Sequence, residues 1–142
     1  MTHILEVNPS ELIKRAAEEL KKNNAVSPPN WSKFVKTGVN RERVPDSPDW
    51  WYMRSAAILR NIAKLGPIGT EKLRTKYGGL KARGYMPAEF RKSSGSIIRK
   101  ILQQLEKSQL IKQTAKGAHK GRVLTPRGMS MLDKLAIHIK KQ

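Results

Sequence analysis

The sequence contains no cysteine, which excludes disulfides and thiolate-bound zinc. Its 3 histidines are scattered, so no metal-ligand spacing arises and no metal is expected. No apolar run approaches the roughly 20 residues of a membrane span, and the N-terminus lacks signal-peptide character. A soluble intracellular protein is the expectation. Acids are the other scarcity, with 11 Asp+Glu against 29 Lys+Arg, net charge +18 and pI ≈ 10.6. Glu89 and Glu106 stand apart among bases, which argues against a magnesium-dependent nucleic-acid enzyme. There is no nucleophile–base pattern and no phosphate-binding glycine motif, so neither catalysis nor a cofactor is expected.

What is abundant is positive charge. An excess this large repels itself in the free protein, and a polyanionic partner is its natural counterweight. Nucleic acid fits better than a membrane surface, because no helix combines a strongly basic face with a clean apolar one. Residues 1–24 balance, with 4 acids and 4 bases, whereas residues 78–127 carry 12 bases against Glu89 and Glu106. The footprint therefore lies mainly in the C-terminal half. At 142 residues and 38% hydrophobic, the chain suffices for one domain with a core.

The chain is organised around residues 47–67. Ser47 is placed to cap a helix, Pro48 suits its first position, Asp49 complements the dipole, and Gly66-Pro67 stops it. Trp51, Tyr52, Ala56, Ile58, Leu59, Ile62, Ala63 and Leu65 cover about half its circumference, a stripe wide enough to predict a largely enclosed helix. Arg54, Arg60 and Lys64 share the remaining arc with Trp50 and Met53.

Upstream, Asn8-Pro9 opens a helix with Leu12, Ile13, Ala16, Ala17 and Leu20 inward. After the stiff Pro28-Pro29 connector, Trp31, Phe34 and Val35 predict a short helix ending at Gly38, and residues 39–47 read as a polar linker. Downstream, Thr70 caps a short helix through Tyr77. Residues 78–95 read as a long basic loop, with Tyr85, Met86 and Phe90 pinning it to the core. A helix follows with Ile97, Ile98, Ile101, Leu102 and Leu105 inward. Residues 110–114 and 121–125 predict a hairpin. Thr125-Pro126 opens the last helix, with Met129, Leu132, Leu135, Ala136 and Ile139 inward. The order is that of a winged helix-turn-helix. The expected fold is mainly α: five to six helices around the central amphipathic one, plus a short β-hairpin wing. Residues 1–142 form a single domain, with 1–47 an N-terminal helical extension and 48–142 the winged-helix-like core.

Four stretches carry a resemblance: Pro48-Asp49-Trp50-Trp51-Tyr52 with Arg54; Lys76-Tyr77-Gly78-Gly79 running on to Gly84-Tyr85-Met86-Pro87 and Phe90; Ser94 through Glu106; and Leu124-Thr125-Pro126-Arg127-Gly128. Together they resemble the archaeal and eukaryotic small-subunit ribosomal protein family called S nineteen-e, over essentially the whole chain. The short C-terminus and lysine-rich surface look similar to archaeal members. The resemblance implies a non-enzymatic structural protein in the head of the small ribosomal subunit, bound to small-subunit rRNA and other ribosomal proteins, with a part in subunit maturation. It also implies a cytoplasmic, ribosomal location. No dimerisation helix is visible, and a monomer is expected when free. The rival reading is a winged-helix DNA-binding transcriptional regulator, but charge extends beyond the recognition helix and wing to the central helix.

The residues expected to meet RNA are Arg54, Arg60 and Lys64 on the central helix; Lys81, Arg83, Arg91 and Lys92 in the basic loop; Arg99 and Lys100 on the helix after it; and Lys116, Lys120 and Arg122 at the hairpin. The plainer alternative for Arg54 and Arg60 is surface pairing with Asp46, Asp49 or Glu71. Trp50 is either core or a stacking platform for a base. Gln103 and Gln104 are exposed candidates for base or ribose contacts.

Overall fold

The computed structural model describes residues 3–115 and 118–141. In chain order the elements are α1 (His3–Glu6), α2 (Pro9–Lys22), a 3-10 turn (Asn30–Lys33), α3 (Trp50–Leu65), α4 (Thr70–Tyr77), β1 (Gly79–Arg83), β2 (Met86–Arg91), α5 (Gly95–Lys107), β3 (Ile111–Thr114), β4 (Gly121–Leu124) and α6 (Pro126–Lys140). The strands form two separate antiparallel pairs, β1–β2 and β3–β4.

α3 is the axis, as its wide apolar stripe predicted. Trp51, Ala56, Ile58, Leu59 and Ile62 are buried, and the buried Ser55 hydroxyl donates to the Trp51 carbonyl at 2.8 Å. α2 lies along α3 and also touches α6. Its cap is Asn8, whose side-chain oxygen accepts from the Ser10 N–H at 3.0 Å, with Pro9 opening the helix. Leu12, Ala16, Ala17 and Leu20 follow at helical spacing and join the same buried cluster as α3, α5 and α6. α5 buries Ile97, Ile98, Ile101, Leu102 and Leu105, the face its periodicity indicated.

The β3–β4 wing runs in register from Ile111↔Leu124 to Thr114↔Gly121. Ile68 adds an isolated antiparallel bridge to β4: its N–H donates to the Arg122 carbonyl at 3.2 Å, and the Arg122 N–H donates back at 3.0 Å. This approach requires glycine at 121, where a Cβ would lie 2.7 Å from the Ile68 nitrogen. The Thr125 hydroxyl accepts from the Gly128 N–H at 3.2 Å, capping α6 as expected. The mainly helical, winged-helix-like architecture read from sequence is the one observed.

Several details differ. The central helix starts at Trp50, later than Ser47-Pro48 suggested. The Ser47 hydroxyl accepts the Asp49 N–H at 3.3 Å and the Trp50 N–H donates to the Ser47 carbonyl, so the chain makes one turn before the helix begins. Lys21 takes the Asp49 carboxylate at 2.9 Å, tying this turn to α2. Gly69, not Thr70, is the residue before α4. Leu65 ends α3 exposed, because the chain turns away at Gly66 (φ 71°). The helix expected from Trp31 to Gly38 is only the 3-10 turn, and Phe34 is 80% exposed. Gly38 instead bridges to Ser93, where the Ser94 N–H donates to the Thr37 carbonyl.

The largest correction concerns residues 78–95. They form a β-hairpin, not a loop, and its apolar residues do not pin it to the core: Tyr85 and Met86 are exposed, and Phe90 nearly half so. A ribbon solvated on both sides needs no buried stripe, so the usual strand signal was missing. Its base is fastened to α4. The Ser93 N–H donates to the Arg74 carbonyl at 3.1 Å, and the Arg74 Nε–H donates to the Ser93 carbonyl at 3.0 Å.

Candidate nucleic-acid interface

The sharpest electrostatic feature sits where α4 ends against α3. Arg54 and Asn61 are spaced i, i+7 and so share a helix face, and the Tyr77 ring docks between them. The Arg54 guanidinium lies 4.4 Å from the Tyr77 ring centroid, and Asn61 Nδ2 donates to the Tyr77 hydroxyl at 2.6 Å. The stacked cation is half-buried. Burial pulls its pKa below the usual arginine value and the like charge of Arg41 adds to that, while Tyr77 opposes. Arginine nevertheless stays protonated in proteins. Burial also pushes the Tyr77 phenol up, against the influence of Arg54, Asn61 and Arg60. Among the described residues no acid pairs with Arg54. The surface pairs considered for Arg54 and Arg60 are not formed: Asp49 holds Lys21, and Glu71 holds Arg74 at 2.8 Å and Lys92 at 3.1 Å. Arg60 has a buried Nε with no hydrogen-bond partner, and Lys64 is exposed near the helix end.

The β1–β2 ribbon has two unlike faces because cross-strand partners share a side. Leu80 pairs with Phe90, giving an apolar face, while Lys81 pairs with Glu89 on the other. Glu89 is shared by two arginines, with Arg91 at 2.7 Å and Arg83 at 3.4 Å. Arg83 Nε–H also donates to the Pro87 carbonyl at 2.9 Å, which holds the guanidinium across the turn. Lys81 has no ion pair among the described residues.

On α5, Arg99 and Lys100 are exposed on the polar face, and the Arg99 guanidinium folds back towards Gly95 beside the Arg74 side chain. At the wing, Arg122 faces Glu106 at 3.6 Å and Lys120 is exposed, while Lys116 lies outside the described residues. The cations thus fall into two groups. Arg83, Arg91, Lys92 and Arg122 each have a carboxylate partner, whereas Arg54, Arg60, Lys64, Lys81, Arg99, Lys100 and Lys120 have none among the described residues.

Gln104 is not a free surface amide. Its Oε1 accepts from the Trp51 indole N–H at 3.0 Å, and its Nε2 donates to the Ser27 carbonyl at 2.7 Å; Gln103 is exposed. Trp50 is half-buried and meets the Trp51 ring edge-on, 5.3 Å between centroids. Sequence reasoning overlooked Arg41, which alternates with Glu42 and Arg43 in a segment read only as a polar linker. Together with Arg54, Met53 and the β1 residues Leu80, Lys81 and Ala82, it lines a groove of ≈ 1260 Å³ between that segment, α2, α3 and the hairpin.

No cluster of His, Asp or Glu among the described residues is arranged to hold a metal, and no helix is long and apolar enough to cross a membrane. The model of the family Ribosomal protein S19e matches residues 3–142. The chain is 47% identical over 144 residues to small ribosomal subunit protein eS19 of Aeropyrum pernix, covering 100% of this chain and 92% of that relative. Small ribosomal subunit protein eS19G of Ascaris suum is 39% identical, with 99% and 93% covered. The protein eS19 of Thermoplasma acidophilum is 41% identical, with 94% and 87% covered. With a match along nearly its whole length and relatives this close, the chain belongs to the ribosomal protein S19e family.

Proposed function

We propose that this protein is a non-catalytic structural component of the small subunit of cytoplasmic ribosomes, where it binds rRNA and neighbouring ribosomal proteins and supports subunit maturation. It enters the subunit as a monomer. The RNA-facing residues are Arg54, Arg60 and Lys64 on α3; Lys81, Arg83, Arg91 and Lys92 at the β1–β2 hairpin; Arg99 and Lys100 on α5; and Lys116, Lys120 and Arg122 at the wing. The observation that carries this reading is Arg54, a half-buried guanidinium stacked on Tyr77 with no carboxylate to neutralise it. Holding a desolvated cation beside a second arginine costs folding free energy, and a phosphate offsets that cost on binding. A DNA-binding regulator would use α5 and the wing alone, and the family match does not favour it.

Arg54→Met tests the reading, because it keeps an unbranched apolar chain over Tyr77 and removes the charge. Its thermal melt should stay close to wild type while affinity for a small-subunit rRNA transcript falls at least tenfold. Arg60→Gln with Lys64→Gln should give a smaller loss. Unchanged RNA affinity in a folded Arg54→Met protein would remove Arg54 from the interface, and unchanged affinity in both variants would remove α3.

A further inference from the structure

The groove beside Arg54 is not a plain basic surface. One wall is the β1 strand of the ribbon, with Leu80, 68% exposed, beside Lys81 and Ala82. The other wall is α3, with Met53, Ala57 and the half-buried Trp50. Arg54, Arg41 and Lys81 are among the seven bases that line the groove, against four acids, Glu18, Glu42, Asp46 and Asp49, so it carries a net positive charge. The volume, ≈ 1260 Å³, exceeds the roughly 300–1,000 Å³ typical of a small-molecule pocket. Double-stranded RNA offers phosphates and riboses outward but keeps its bases stacked inside, so it has no use for apolar walls. An unpaired strand presents both chemistries, a π-face for the walls and a phosphate for the arginines.

We propose that this groove receives unstacked nucleotides of an RNA strand, with bases between the Leu80 and Met53 walls and phosphates against Arg54 and Arg41. The inference rests on the rRNA-binding reading above and adds to it a single-stranded, base-dependent subsite. An apolar peptide segment would suit the walls but leave the excess of bases over acids uncompensated. Charge complementarity therefore favours the nucleotide.

The experiment compares an eight-residue oligouridylate with its abasic ribose-phosphate counterpart, equal in charge, by fluorescence titration at fixed salt. One seated base should make the oligouridylate bind roughly 5- to 150-fold more tightly. Leu80→Gln, at a highly exposed position and checked by its melt, should abolish that ratio and leave abasic binding unchanged. Arg41→Gln should weaken both probes alike. Equal binding of the two probes would overturn the subsite while leaving backbone binding to rRNA intact, and so would a ratio that survives Leu80→Gln. Binding of neither probe would sink both readings. Leu80-dependent capture of a glutamate–tyrosine copolymer, with equal or absent oligonucleotide binding, would assign the groove to a protein segment instead.

Discussion

Two adjacent glutamines on α5 should behave very differently when truncated. Gln104 accepts from the fully buried Trp51 indole and donates to the Ser27 carbonyl, so it staples α5, α3 and the Pro28-Pro29 connector together. Gln104→Ala leaves a buried indole N–H without an acceptor, which costs about 1–3 kcal/mol. The lost bond to Ser27, which water replaces in part, adds about 0.5–1 kcal/mol. A total near ~2.5 kcal/mol lowers the midpoint by roughly 5–10 °C in a chain of this size. Gln103→Ala removes an exposed amide and should change stability by less than about 0.5 kcal/mol. Urea unfolding followed by far-UV circular dichroism gives both values. Pairing Gln104→Ala with Trp51→Phe in a double-mutant cycle isolates the bond, and a coupling of about 1 kcal/mol or more is expected for direct partners. Equal melts for the two glutamine variants, or no coupling with Trp51, would refute the staple.

Gly121→Ala should destabilise the protein by about 1–3 kcal/mol, since its Cβ would meet the Ile68 backbone; a thermal melt measures this. Binding to rRNA should weaken by on the order of four decades per tenfold rise in salt if about six phosphates are contacted, and a salt titration gives the slope directly. Tyr77 predicts an alkaline effect. Its raised folded-state pKa means the folded chain keeps the phenol proton longer than the unfolded one. The stabilisation is complete below the usual phenol pKa of about 10 and is lost as pH rises from there through the folded value. The stability difference between wild type and Tyr77→Phe should therefore shrink above about pH 10.

Helix faces were legible wherever burial was one-sided. Ile97 to Leu105 and Leu12 to Leu20 declare a helical period because one side meets the core and the other meets water. The β1–β2 hairpin was not legible, because Leu80, Met86 and Phe90 never reach the core and so could not produce the expected alternation. Among site residues, composition pointed to the bases but not to their state. No sequence rule distinguishes Arg54, stacked and unpaired, from Arg91, neutralised by Glu89, since that depends on Tyr77 and on the ribbon register. Gln104 was misread for the same reason: its partners are Trp51 and Ser27, both far along the chain.

The projecting β1–β2 ribbon makes the chain separable. Its tip, Gly84-Tyr85, is fully exposed, with Gly84 at φ 69°, and is flanked by Arg83. Exposed turns of this kind are where proteases cut first. A single nick there would yield one fragment holding α1 to β1 and another holding β2 to α6. Neither has a complete interior, because Trp51, Leu59 and Ile62 belong to the first and Ile101, Leu105 and Leu132 to the second. The two pieces should remain associated after cleavage, and should reassemble when produced separately, each serving as the other's template.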